Sequence, residues 1–480
     1  MRLSELLARP PGPVDPVIAG VTADSRAVKP GWLFAALPGT QVDGARFVPA
    51  AVQAGAVAVI AGEGAVVEAR APTYRFRDVR RVYALAAARL AASQPECCVA
   101  VTGTNGKTSV ATFARQLFGA LGRSAASMGT LGVQTSSGEA LTPPGLTTPD
   151  AAEVARLAAE LARRGVTHLA LEASSHGLDQ RRLDGLKLKA GGFTNLSQDH
   201  LDYHADMGAY RAAKLELFER LVPRGGAAVL NADADEFPIF AGFAVMHGQT
   251  VMSVGEAGEA LRLLERTPEP FGQRLRIDAG SGAREVRLPL AGAFQASNVL
   301  VAAGLAFAVG EDADAVLAAC ERLEGAPGRM QRVGSARGGE AYVDYAHTPD
   351  GLRTVLEALR PHVRGRLVAV IGAGGDRDRT KRPLMGAEAH ALADLVIVTD
   401  DNPRSEEPAA IRAEVLRGAP GARDVGDRRE AIAAAVAELG EGDVLVVAGK
   451  GHEQGQTIAD VTHPFDDVAE VRAALEAHGG

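Results

Sequence analysis

The sequence predicts an α/β protein with a phosphate-binding loop set in a mainly parallel sheet. Three observations carry that prediction. The stretch Cys98-Val-Ala-Val-Thr-Gly-Thr-Asn-Gly-Lys-Thr-Ser-Val110 reads as an apolar strand, a glycine-bearing loop and the start of a helix. Strand and helix patterns alternate from about residue 87 to 325 and again from about 326 to 480, the pattern of parallel sheets covered by helices. Polar clusters follow several of the predicted strands at their C-terminal ends, where open α/β sheets bind ligands.

The loop comes first because its chemistry is the most specific. In Gly103, Thr104, Asn105, Gly106, Lys107, Thr108 and Ser109, backbone N–H groups can turn inward, and the following helix N-terminus adds positive potential. Lys107 supplies a point charge for a β- or γ-phosphate, and the Thr108 hydroxyl is placed to hold Mg2+. Val101 stands where the full P-loop pattern has its first glycine, so the loop is a shortened form. An ordinary Asn-Gly turn is the alternative. The strand before it and the Lys-Thr pair after it favour ATP phosphate.

Length and composition bound the rest. A chain of 480 residues with 46% hydrophobic and 23% charged residues is expected to form about three soluble globular domains. A net charge of −8 argues against a general nucleic-acid binder but leaves room for a small anionic substrate in a locally basic cleft. Cys97, Cys98 and Cys320 form no disulfide framework, no apolar run reaches membrane-span length, and no secretory leader pattern opens the chain. A reducing cytoplasm is the expected location, with no membrane partner.

Residues 1–86 make the first predicted unit. Asp24, Ser25 and Arg26 sit in a polar break that fits a plain turn, or a loop offering hydroxyl and guanidinium donors to an anion. Within the second unit, residues 87–325, Thr148 is the expected N-cap and Pro149 the first residue of a helix running to about Arg164. His168 to Glu172 reads as a strand. Glu172 at its end is either a Mg2+ ligand or an acid facing water. Ser174, Ser175, His176, Gln180, Arg181 and Arg182 follow in a donor-rich loop, either solvated surface or a grip on a large anion. His200 and His204 accompany Asp199 and Asp202, which raises a metal reading that fits no closed zinc site. Lys214, in a predicted helix from Tyr210 to Leu221, reads from the residues alone as a surface lysine near Glu216. Short alternating segments at 255–293 suggest an antiparallel insertion, and Gln295 to Val309 a helix containing Asn298.

The third unit, residues 326–480, again alternates. Strands are expected at Glu340–Asp344, Arg366–Ile371, Leu395–Thr399 and Val444–Ala448, and Thr348 with Pro349 should start a helix. Gly372 to Pro383 is glycine-rich and then basic. With Arg377, Arg379, Lys381, Arg382 and Arg404 a positive pocket is possible. Three strand ends then deliver polar clusters, at Gly372, at Asp400-Asp401-Asn402-Pro403-Arg404 and at Gly449-Lys450-Gly451-His452-Glu453, which a doubly wound sheet could align along one edge.

In order, Asp24-Ser-Arg26, the 103–108 loop, Thr147-Thr-Pro149, Glu172-Ala-Ser-Ser-His-Gly-Leu178, Asp199-His-Leu-Asp-Tyr-His204, Asp344-Tyr-Ala-His-Thr-Pro349, Gly374-Gly-Asp-Arg-Asp378 and Gly449-Lys-Gly-His-Glu453 resemble the Mur ligase family over essentially the whole chain. The shortened phosphate loop is also that family's form. The resemblance implies three domains: 1–86 binding a UDP-linked substrate, 87–325 a central P-loop-type ATPase, and 326–480 a Rossmann-like domain bringing an amino acid. It implies ATP-dependent addition of meso-2,6-diaminopimelate to UDP-N-acetylmuramoyl-L-alanyl-D-glutamate in peptidoglycan precursor synthesis, in a cytoplasmic monomer. The D-Glu γ-carboxylate would attack the γ-phosphate, and the incoming amine would displace phosphate from the acyl phosphate.

By the same resemblance, Lys107 and Thr108 hold phosphates and Mg2+, while Glu172, His200 and a carbamylated Lys214 take metal positions. Asn298, Arg329 and Asp344 match nucleotide contacts. Ser25, Thr147, Thr148, Ser174, Gln180 and Arg182 match contacts to the UDP substrate. Arg377, Asp401, Asn402, Pro403, Arg404, Gly449 and Glu453 match the diaminopimelate pocket, in which Arg404 would clamp the carboxylate that lysine lacks. A lysine-adding ligase and a folylpolyglutamate synthetase relative are the nearest alternatives.

Overall fold

The computed structural model describes residues 1–12, 14–39, 42–67, 70–197, 203–280, 282–459 and 461–479. Contacts divide the chain into two units, residues 1–254 with 301–312 and residues 255–300 with 313–480.

The first unit opens with four parallel strands in chain order, Gly20–Thr22, Trp32–Ala36, Ala56–Gly62 and Thr73–Phe76. Leu33, Phe34, Ala35 and Ile60 are wholly buried, as expected of short apolar runs in a covered parallel sheet. Helix Val79–Ala91 packs on this layer through Tyr83, Ala84 and Ala87, and its first turn is capped by Asp78. The Tyr83 hydroxyl donates to Asp150 at 2.6 Å, which ties this helix to Ala151–Arg163.

The same unit holds six neighbouring parallel strands in the order Ala125–Gly129, His168–Glu172, Cys97–Thr102, Ala190–Phe193, Ala227–Asn231 and Thr250–Gly255, with Gly132–Thr135 antiparallel on the edge. Cys97–Thr102 is buried along its whole length, because a central parallel strand is covered on both faces. The chain leaves this strand in one direction for Ala125–Gly129 and His168–Glu172, then crosses to its other side for Ala190–Phe193. The crevice where strand order reverses therefore opens at the end of Cys97–Thr102. Phe193 and Phe240 stack at 3.8 Å in the adjoining core.

In the second unit, Leu261–Glu269, Gly272–Asp278 and Ala283–Leu288 are antiparallel neighbours, in agreement with the insertion expected there. A six-stranded sheet runs Gln331–Ala336, Gly339–Asp344, Val444–Ala448, Leu367–Ile371, Leu395–Val398 and Arg423–Asp424, parallel after its first pair. The three expected polar strand ends thus lie on adjacent strands at one edge. Thr348 caps helix Pro349–Leu359, accepting from the Gly351 N–H, as its sequence predicts.

Two local expectations are corrected. Helix Ala151–Arg163 is capped by Asp150 rather than Thr148, because the Thr148 hydroxyl is engaged by the end of the neighbouring strand, donating to the Glu172 carbonyl at 2.9 Å. The helix around Lys214 starts earlier than expected, at Met207 under an Asp206 cap, and its last turn, Leu217–Leu221, is a π-turn. No helix among the described residues is long and apolar enough to cross a membrane.

Candidate active site

The phosphate loop is built by conformations that only glycine adopts freely. Gly103 has φ +153°, and a Cβ there would fall 1.9 Å from Thr194 Oγ1. Gly106, at φ +86°, leads into helix Lys107–Ala120, whose N-terminus has no side-chain cap. Its first N–H groups therefore point to where an anion would sit. Segment 194–197, after strand Ala190–Phe193, grips the loop from beside it. Thr194 Oγ1 donates to the Asn105 carbonyl at 2.6 Å, and the Asn105 and Thr104 N–H groups donate to Asn195 Oδ1 and O at 3.0 and 2.9 Å.

Two lysines converge on this loop. Lys107 Nζ donates to the carbonyls of Gly103 and Thr104 at 2.9 and 2.7 Å. Lys214 Nζ donates to the Gly103 carbonyl at 2.7 Å and lies 4.2 Å from the centre of the Tyr210 ring. Lys214 is only 1% exposed, which overturns the reading of a surface lysine. Its helix faces it inward, while Glu216, its expected surface partner, takes Arg181 and Arg220. Tyr210 was not anticipated. Its hydroxyl lies 3.2 Å from Thr104 Oγ1, so one ring braces both the lysine and the loop.

Glu172 is also buried, which removes the reading of an acid facing water. Its Oε2 accepts from Thr108 Oγ1 at 2.9 Å and Thr130 Oγ1 at 3.2 Å, and its Oε1 from the Thr130 N–H at 2.8 Å. Gly129 makes room for it, since a Cβ there would sit 2.1 Å from Oε1. Sequence reasoning missed Gly129 and Thr130. The signal available was a Gly-Thr pair closing the short, mostly apolar run at residues 125–128. A buried carboxylate beside a threonine hydroxyl and a helix N-terminus is a hard-oxygen donor set, which suits Mg2+ shared with phosphate oxygens. His200, expected among the metal positions, lies outside the described residues, as do Asp199 and Asp202. Among the described residues no group of three or more His, Cys, Asp and Glu side chains is arranged to hold a metal by itself.

Five of the six residues expected to meet the UDP substrate come together. Thr147 Oγ1 is 3.0 Å from Thr130 Oγ1, and Ser174 Oγ donates to Thr148 Oγ1 at 3.0 Å while capping helix Ser175–Asp179. Arg182 reaches back to the Thr148 carbonyl at 2.6 Å and to Gln180 Oε1 at 2.8 Å, and Gln180 Nε2 donates to the Tyr203 hydroxyl at 3.2 Å. Burial draws the Arg182 guanidinium pKa below its usual value. Ser25 belongs to a different element, the 3-10 turn Ser25–Ala27 of the first sheet. There Arg26 folds back onto Asp24 with two side-chain bonds, at 2.9 and 2.8 Å, so the turn satisfies its own charge.

In the second unit, Asn298, Gln295 and Arg329 form a chain. Asn298 Nδ2 donates to Gln295 Oε1 at 3.2 Å, and Gln295 Nε2 to the Arg329 carbonyl at 3.3 Å. The Arg329 guanidinium lies 4.5 Å from the Tyr345 ring centre. Asp344 accepts from the Met330 and Ala346 N–H groups at 2.6 and 2.7 Å. Burial nevertheless pushes its carboxyl above the usual range.

The expected amino-acid residues meet at the edge of the six-stranded sheet. A Cβ on Gly375 would fall 1.8 Å from the Pro403 carbonyl, and one on Gly449, at φ +118°, 2.5 Å from Asp401 Oδ2. Arg404 adopts a left-handed backbone (φ +53°) and donates through Nη1 to the Gly375 carbonyl at 2.6 Å. Asn402 Nδ2 donates to Glu453 Oε2 at 2.9 Å, while Arg377 is exposed. The positive pocket is smaller than five cations suggested. Arg382 is wholly buried between Glu406 and Glu414, and Arg379 donates to Glu414 at 2.5 Å, so both are neutralised within the fold.

Comparison with known proteins places this geometry. The family models described as Mur ligase family, catalytic domain; Mur ligase middle domain; and Mur ligase, glutamate ligase domain match residues 17–91, 101–306 and 328–451. The UDP-N-acetylmuramoyl-L-alanyl-D-glutamate–2,6-diaminopimelate ligase of Caulobacter vibrioides is 67% identical over 480 residues, with 99% of each chain covered. A solved structure of a ligase of the same name is 35% identical with a TM-score of 0.76, again covering 99% of each chain. MurF ligase from Thermotoga maritima in complex with ADP shares the fold at 19% identity, with a TM-score of 0.62 over 96% of this chain and 98% of that one.

Proposed function

Because this chain belongs to the Mur ligase family, we propose that it adds meso-2,6-diaminopimelate to UDP-N-acetylmuramoyl-L-alanyl-D-glutamate, with ATP converted to ADP and phosphate, in peptidoglycan precursor synthesis. The observation that carries the chemistry is the buried Glu172 carboxylate 2.9 Å from the Thr108 hydroxyl, at the foot of an uncapped helix. That arrangement suits a phosphate and its cation, and it needs no protein nucleophile.

In this reading Gly103 to Ser109 cradle the ATP phosphates and Lys107 neutralises charge that builds on the leaving diphosphate. Mg2+, held by Thr108 and Glu172 with His200, would supply charge neutralisation at the phosphates when bound. Lys214, once carbamylated, would bring an anion to the same place. Asn298, Arg329 and Asp344 would meet the rest of the nucleotide. Thr147, Thr148, Ser174, Gln180 and Arg182, with Ser25, would orient the UDP substrate so that its D-Glu γ-carboxylate attacks the γ-phosphate. The amine of diaminopimelate then attacks the acyl phosphate carbonyl, and phosphate leaves. Arg404, Arg377, Asp401, Asn402, Pro403, Gly449 and Glu453 would hold that amino acid, with Arg404 on its second carboxylate. Domains of 1–86, 87–325 and 326–480, a monomer and a cytoplasmic location complete the proposal.

The test is phosphate release from ATP in the presence of the UDP substrate, comparing meso-diaminopimelate with L-lysine. Turnover with diaminopimelate alone is expected. Turnover with lysine would overturn the Arg404 assignment, and no stimulation by either would overturn the ligase reading.

A further inference from the structure

Lys450 stands between Gly449 and Gly451 just past strand Val444–Ala448 and is 0% exposed. An ammonium group so deeply buried is stable only with partners. It has two. Lys450 Nζ donates to Asn402 Oδ1 at 2.9 Å and lies 3.6 Å from Glu453 Oε2. The Thr457 N–H donates to the same Asn402 oxygen at 2.9 Å. The other end of that amide, Nδ2, donates to Glu453 Oε2 at 2.9 Å.

The chemistry of the amide makes this arrangement directional. Asn402 has one acceptor end and one donor end, and its neighbours decide which way it points. Lys450 and Thr457 present two donors to one side. Reversing the amide would set its NH2 against an ammonium and an N–H, and its oxygen against the Glu453 carboxylate. All three contacts would turn repulsive. Lys450, with the Thr457 N–H beside it, therefore selects one orientation of Asn402, and that orientation, together with the 3.6 Å ion pair, holds Glu453, whose side chain remains 36% exposed toward solvent. Burial draws the Lys450 pKa below the usual lysine value, and the carboxylates of Asp401, 6% exposed, and Glu453 oppose that shift.

We propose that Lys450 is a positioning residue for the amino-acid substrate: it locks the Asn402 amide with its NH2 toward Glu453 and so holds that carboxylate where a substrate ammonium would meet it. Lys450 itself touches no substrate. The inference rests on reading Asp401–Arg404 and Gly449–Glu453 as the diaminopimelate pocket, and it assigns a role to a motif residue that this reading left unused.

The experiment is steady-state kinetics of Lys450→Met in the full chain, with all three substrates varied in turn. The KM for diaminopimelate should rise roughly tenfold, the size of a lost hydrogen bond to a charged group. The KM values for ATP and the UDP substrate should stay within about twofold. Because Lys450 acts on Glu453 both through Asn402 and across the 3.6 Å ion pair, adding Lys450→Met to Asn402→Ala should raise the diaminopimelate KM by clearly less than the product of the two single effects. Lys450→Gln, polar but uncharged and one atom shorter than lysine, tests the same selective rise if the methionine variant does not fold. An unchanged diaminopimelate KM, an equal shift in all three KM values, or independent effects in the double variant would each overturn the proposal. Wild-type protein without diaminopimelate-dependent turnover would overturn the pocket reading beneath it, a failure visible before any variant is made.

Discussion

Lys107 and Lys214 donate to one acceptor, the Gly103 carbonyl, at 2.9 and 2.7 Å. Two ammonium groups on a single oxygen repel each other, and the repulsion is strong where Lys214 is buried. In the proposed reading, an arriving triphosphate would relieve it on the Lys107 side. Conversion of the Lys214 amine to a carbamate would relieve it on the other, since a carbamate is an anion that still keeps one N–H for Gly103.

The proposed carbamylation of Lys214 can be tested directly. Protein equilibrated with 13C-bicarbonate should show a carbamate carbonyl resonance that disappears in Lys214→Ala. The same substitution should lower kcat at least about a hundredfold, the scale for losing one preorganised charge at a reacting phosphate. Full activity in Lys214→Ala would remove the lysine from the mechanism.

Gly129 gives a sharper test of the Glu172 position than Glu172 itself. A methyl group there would enter within 2.1 Å of Oε1, on a strand that cannot easily retreat. Gly129→Ala should displace the carboxylate and raise the Mg2+ concentration needed for half-maximal phosphate release by about tenfold or more. Thr130→Val, which removes the 3.2 Å hydroxyl contact to Glu172 and the 3.0 Å contact to Thr147 but keeps the backbone N–H bond to Glu172, should shift it less. An unchanged Mg2+ requirement in Gly129→Ala would show that Glu172 does not serve the cation.

Arg404 should decide between amino acids. Arg404→Ala is expected to raise the KM for meso-diaminopimelate by about tenfold to a hundredfold, and to narrow its advantage over L-lysine. Arg404→Lys should recover little, because a point charge cannot reproduce the paired hydrogen bonds of a guanidinium. Retained discrimination in Arg404→Ala would place the selecting contact elsewhere.

Acid stability should report on the loop beneath that pocket. Arg382, wholly buried, donates to both oxygens of Glu406 at 2.9 and 2.7 Å and holds its carboxyl down at about 2, from an ordinary value of 4.5. The unfolded chain therefore takes up this proton first as pH falls. The stabilisation is fully present above about 4.5 and is lost progressively as pH drops toward 2. Thermal denaturation should show Glu406→Gln well below wild type at pH 7, with the gap closing below pH 4. A gap independent of pH would mean that packing, not charge, holds this contact.

The sequence by itself determined the strands and the loop. Segments His168–Glu172 and Val444–Ala448 occur where their apolar runs predicted them, because uninterrupted apolar stretches bounded by polar residues have few other ways to be buried. The glycines at 103 and 106, the Thr348 cap and the alignment of three polar strand ends were legible for the same local reason. The tertiary structure alone decided what depends on distant partners. Thr148 lost its capping role to Asp150 because a strand end 24 residues away claimed its hydroxyl. Lys214 is buried because folding brings it to a carbonyl 111 residues earlier in the chain. Thr130 reaches Glu172 across 42 residues, and Lys450 reaches Asn402 across 48. Periodicity records which face of an element is apolar. It carries no information about which polar groups from other elements will meet there, and those meetings set the charge and the geometry of the site.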